Sequence, residues 1–64
     1  MKATIHYDNG DTAHVNARMY KGGLQCIEFE YNGERYILWH TKLAEHGIIR
    51  VTARSSGKTL WSLN

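Results

Sequence analysis

An all-β domain, a small and strongly bent antiparallel sheet of three hairpins with five to six strands, is what this sequence predicts. Three observations predict it. Apolar and polar residues alternate with period 2 over residues 2–7, 13–19 and 48–53, the signature of half-buried strands. Glycine-containing turn clusters at Asn9-Gly10, Asn32-Gly33 and Ser56-Gly57 separate these segments, as hairpin connections do. Nothing in the chain supports a helix longer than one turn.

In the first strand Ala3, Ile5 and Tyr7 fall on one side and Lys2, Thr4 and His6 on the other. In the second, Ala13, Val15, Ala17 and Met19 alternate with His14, Asn16 and Arg18. Directly opposed residues of an antiparallel pair point to the same side, so the faces decide the length of the turn between these strands. A two-residue Asn9-Gly10 turn sets Ile5 against His14, whereas a three-residue Asp8-Asn9-Gly10 loop sets Ile5 against Ala13 and Ala3 against Val15. The second keeps apolar with apolar and is expected, with Gly10 in the left-handed position.

Residues 24–41 carry apolar side chains on both faces of a hairpin, although a half-buried strand needs only one. A two-residue turn at Asn32-Gly33 pairs Tyr31 with Glu34, Phe29 with Tyr36 and Ile27 with Leu38 on a face assigned to the core. The other face opposes Glu30 to Arg35, a cross-strand ion pair worth little if exposed, then Glu28 to Ile37 and Cys26 to Trp39. That face passes from charged to apolar.

After His40, Thr41 is expected to cap a short helical turn near residues 42–46, ended by a left-handed Gly47. In the last hairpin Ile49, Val51 and Ala53 alternate with Ile48, Arg50 and Thr52, and a Ser55-Ser56-Gly57 loop sets Val51 against Trp61 and Ile49 against Leu63. With a Lys21-Gly22-Gly23 connection between the first two hairpins, the order of elements resembles an SH3-like barrel or roll, whose short helical turn also precedes a terminal strand. An OB-like barrel is the second choice, because that fold often places a longer helix there.

Residues 1–64 are read as a single small β domain near the lower size limit for independent folding. One cysteine, Cys26, cannot form an internal disulfide, and a lone thiol with no signal-peptide pattern points to the cytoplasm. No apolar run approaches the roughly 18 residues that a membrane-spanning helix needs. Eight Lys and Arg against six Asp and Glu leave a formal net charge of +2, a bias weaker than that of many nucleic-acid binders.

Catalytic and cofactor chemistry find little footing. Ser56-Gly57-Lys58-Thr59 resembles the end of a phosphate-binding P-loop, but the first glycine of that motif falls on Thr52 and no room for a helix follows. His6 and His14 lie diagonally on one outer face, yet a structural zinc site wants four ligands with paired spacings, so no metal is expected. Cys26, Ser55, Ser56 and Ser62 lack a histidine and acid placed to activate them. Glu28 and Glu30 sit beside Arg35 on an open face without the burial that separates an acid from a base. Neither an enzyme nor a cofactor is expected.

The expected function is that of a non-enzymatic cytosolic binding protein that docks a rigid β surface onto a protein partner, with a homodimer as the self-docking variant. Trp39 is its anchor, Ile37, Cys26 and Leu24 its apolar centre, and Arg35, Glu28 and Glu30 its charged rim, the usual anatomy of an interface. Small size without catalytic groups also fits a phage or mobile-element accessory protein that inhibits a host factor. The alternative is a small barrel that binds single-stranded nucleic acid through Arg50, Arg54, Lys58, Arg18 and Lys21, with Tyr20 as a stacking platform.

Overall fold

The computed structural model describes residues 1–64. Six strands, β1 (Lys2–Tyr7), β2 (Thr12–Tyr20), β3 (Gly23–Tyr31), β4 (Glu34–Trp39), β5 (Ile48–Ala53) and β6 (Thr59–Ser62), form one antiparallel sheet. Their order is β4-β3-β2-β1-β5-β6. The all-β architecture is therefore the one expected. Its two edges, β4 and β6, are not hydrogen-bonded to each other, so the sheet is open, with extents of 29 × 26 × 23 Å.

Local turn chemistry fixes two hairpins in the expected register. Tyr7 bonds across the Asp8-Asn9-Gly10 loop to Asp11, Gly10 has φ 92°, and Ile5 faces Ala13 while Ala3 faces Val15. Asn32 and Gly33 have φ 52° and 80°, the paired positive values of a type I′ turn. Across it Tyr31 faces Glu34, Phe29 faces Tyr36 and Cys26 faces Trp39.

The third hairpin reaches its expected Val51–Trp61 pair by another route. Ala53 and Gly57 bond across a loop one residue longer than expected, with Ala53 receiving Lys58 as its partner. A shift of register between Val51 and Thr52 then takes up Leu60 as an extra residue of β6 and restores the pairing.

Two further shifts re-aim side chains that strict alternation misplaces. Between the pairs Arg18–Cys26 and Met19–Leu24, β3 carries an extra residue, Gln25. Between His6–Arg50 and Tyr7–Ile48, β5 carries an extra residue, Ile49. Each bulge bends its strand and reverses the phase of the residues beyond it. Leu24 and Ile48 thereby enter the core, while Ile49 is exposed, correcting the expectation that Ile49 points inward and Leu24 outward.

Nine residues make the core: Ala3, Ile5, Val15, Ala17, Leu24, Ile27, Leu43, Ile48 and Val51. Phe29, Leu38, Leu60 and Trp61 pack around it half-buried. The expected helical turn is two short 3-10 segments, His40–Lys42 and Ala44–His46. Gly47 ends them at φ 75° with its N–H donated to the Ala44 carbonyl. Thr41 lies inside the first segment and makes no side-chain cap. Leu43, at the joint between the two, is fully buried, and its carbonyl accepts from His46 and Ile48.

Candidate docking surface

The β3–β4 hairpin extends past the core, and both of its faces reach solvent. On the face expected to be core, Ile27 is buried and Phe29 and Leu38 are half-buried, but Tyr36 and Tyr31 are exposed. Their assignment to the core is thus corrected: neither belongs to the core cluster nor packs against it. Phe29 and Tyr36 stack with centroids 5.6 Å apart, so the two rings shield part of one another instead.

Rows of the outer face follow from the ladders. Asn16, Glu28 and Ile37 form one row, and Arg18, Cys26 and Trp39 the next. Glu30 and Arg35 stand opposite on the turn side. Ile37 and Trp39 are each 52% exposed, which is high for residues with so much apolar surface on a domain this small. Two open depressions lie on this face and share Asn16, Glu28 and Arg35. A partner placed here meets two apolar side chains at the β4 edge and a charged floor beside them.

The ion pairing on this face differs from the Glu30–Arg35 bridge expected. Glu28 is bridged by Arg18 at 3.1 Å, and Arg35 makes no such pair. An exposed cross-strand bridge contributes well under about 1 kcal/mol, so Arg18 and Glu28 matter here chiefly as fixed charges.

Five of the seven residues expected to bind protein therefore share the accessible outer face: Trp39, Ile37, Arg35, Glu28 and Glu30. The other two do not offer a surface. Cys26 has the correct facing but is 3% exposed, and Leu24 is turned into the core by the Gln25 bulge. Sequence reasoning missed Tyr31 and Tyr36 as exposed aromatics. Their signal lay in position, four residues or fewer from a turn that two-residue geometry pushes outward.

The cationic set expected for nucleic acid is dispersed. Arg54 donates to the carbonyls of Ala3 and Val15, at 3.3 and 3.4 Å, and Arg18 is held by Glu28. Tyr20 stacks on His40 with centroids 6.1 Å apart. Arg50 pairs with His6 near the end of β1, while Arg18 lies beyond its start, where Met1 bonds Ala17. At roughly 3.3 Å per residue, the backbone positions of these two arginines stand on the order of 20 Å apart along β1. Lys21 and Lys58 occupy separate exposed turns. No three His, Cys, Asp or Glu side chains converge as a metal cluster.

Arg50 bears on one titration. Burial and then the Arg50 charge hold the His6 imidazole below its ordinary value of 6.5, and its Nε2 lies 2.9 Å from the Thr52 hydroxyl. Folded His6 thus resists a proton that the unfolded chain accepts. The contribution is whole above pH 6.5 and is lost as pH falls through the lowered folded value. Urea midpoints at pH 7.5 and 5.5 should fall further for the wild type than for His6→Gln, which keeps a hydrogen-bonding side chain beside Thr52. Equal falls would remove His6 as the cause.

No protein-family model, curated protein or solved structure matches the chain, so the geometry of the surface carries its interpretation. No helix is long and apolar enough to cross a membrane.

Proposed function

We propose that this chain is a non-enzymatic binding module that docks the outer face of β3–β4 onto another protein. The single observation carrying the reading is the joint exposure of Ile37 and Trp39 on one face, beside Arg35, Glu28 and Glu30. Exposed apolar groups rimmed by charge favour association, since docking removes them from water while the rim sets register. Tryptophan is the favoured anchor of such surfaces. A free, buried thiol at Cys26 accords with the reducing cytoplasm as the compartment.

Trp39→Ala tests the reading. With the chain immobilised at matched concentration, a host protein retained by the wild type should bind the variant at least about 30-fold more weakly, the equivalent of a 2 kcal/mol anchor. Circular dichroism should show the variant folded, because half of the side chain is already in water. Raising salt from 50 to 500 mM should leave wild-type capture largely intact. A steep fall with salt, together with loss on Arg50→Glu, would instead indicate nucleic acid.

A further inference from the structure

The two edges of the sheet are protected unequally. Edge β6 spans only Thr59–Ser62 and is broken by the register shift at Leu60, devices that commonly blunt an edge. Edge β4 has neither. Its ladder to β3 runs from Cys26–Trp39 to Tyr31–Glu34 without a shift. It holds no proline and no lysine, and four consecutive apolar residues, Tyr36 to Trp39, end it. Such a strand is a ready template for another strand.

The hydrogen-bond phase of that edge follows from the turn. Across a two-residue hairpin the flanking pair, here Tyr31 and Glu34, is hydrogen-bonded, and bonded pairs then alternate. Glu34, Tyr36 and Leu38 therefore turn their amides toward β3, and Arg35, Ile37 and Trp39 turn theirs outward. None of these last three amides takes part in a turn, loop or side-chain hydrogen bond.

We infer that β4 pairs antiparallel with β4 of a second copy of this chain, with Ile37 on the two-fold axis. This pairing goes beyond the docking face, since it uses the backbone edge, and it stands or fails separately. The register is selected by side chains. Centred on Ile37, Arg35 of each copy lies against Trp39 of the other, a cation on an aromatic face. Tyr36 lies against Leu38, and Glu34 points to the His40–Lys42 end of the other copy. Centring on Tyr36 would put Arg35 against Ile37 and Glu34 against Leu38, and centring on Arg35 would oppose two like charges. Centring on Leu38 overlaps little more than Ile37 to Trp39.

In the Ile37-centred register the two Ile37 residues exchange N–H and C=O bonds, and each Trp39 N–H meets an Arg35 carbonyl. The interface is isologous and closes after two chains, so it yields a dimer and no fibre. It also joins the two outer faces, bringing both pairs of Ile37 and Trp39 into one patch across the axis.

Sedimentation equilibrium of the isolated chain from about 1 μM to 1 mM should show a concentration-dependent shift from one chain to two. Ile37→Pro should abolish the shift while leaving the fold, because the lost N–H points away from β3. Ile37→Cys, oxidised with diamide, should form a covalent dimer: hydrogen-bonded partners lie about 5.5 Å apart between Cα atoms, within the disulfide range of about 4.4–6.8 Å. Arg35→Cys should cross-link far less, and Cys26 at 3% exposure gives little background. A wild type monomeric throughout, or equal cross-linking from positions 35 and 37, overturns the pairing. A monomer whose Trp39→Ala variant still loses capture would leave the docking reading standing, and a dimer without any captured protein would do the reverse.

Discussion

Leu43→Ala is expected to lower the stability of the fold by about 3 kcal/mol, the middle of the range for deleting a fully buried leucine side chain beyond Cβ. Leu43 is 0% exposed although it sits between two short 3-10 segments with no other buried residue. It is their sole plug into the core. At roughly 0.05–0.15 kcal/mol per residue, a chain this size has only about 3–10 kcal/mol in total, so the loss is a large fraction of it. The thermal midpoint should fall by roughly 12–24 °C. Leu63→Ala, at 53% exposure, should shift it little. A drop equal to that control would mean that the segment between β4 and β5 is not anchored by Leu43.

Leu24→Asp should leave the chain unfolded at 25 °C, whereas Ile37→Asp should fold with a loss of about 1 kcal/mol or less. Strict alternation from Cys26 sets both leucine and isoleucine on one outer face. The Gln25 bulge separates them: Leu24 is 4% exposed and packs with Met19 as its opposite residue, while Ile37 is 52% exposed. A carboxylate at position 24 would be buried without any partner, a cost of several kcal/mol that this domain cannot offset. Far-ultraviolet circular dichroism and amide dispersion in a proton–nitrogen spectrum separate the outcomes. A folded Leu24→Asp chain of unchanged midpoint would return Leu24 to the surface.

These two residues also mark where sequence reasoning succeeds and where it fails: Ile37 is exposed as expected, whereas Leu24 is not. Asp8-Asn9-Gly10 and Asn32-Gly33 act locally, through glycine and asparagine at positive φ, so the pairs that they enforce were legible without any tertiary information. Bulges are not local in that sense. Gln25 and Ile49 are extra residues against β2 and β1, and nothing in their side chains announces it. The exposure of Tyr31 and Tyr36 is a different case, legible in their nearness to the Asn32-Gly33 turn, where the hairpin runs past the core. Trp39 was the open question of the sequence: the remainder of the chain leaves half of it uncovered.

The central place of β1 has a consequence for how the chain is made. Strands β1 to β4 are joined by short turns and can pair as they emerge, but the other side of β1 is completed only by β5, in which Ala53 lies opposite Ala3. Until residues 48–53 have left the ribosome, a strand that has a neighbour on either side in the finished molecule is a bare margin. Closing that ladder across so long a stretch of chain costs more loop-closure entropy than closing any of the hairpins. During that interval the nascent chain has two open strands, β1 and β4, and a chaperone or a neighbouring nascent copy could reach either.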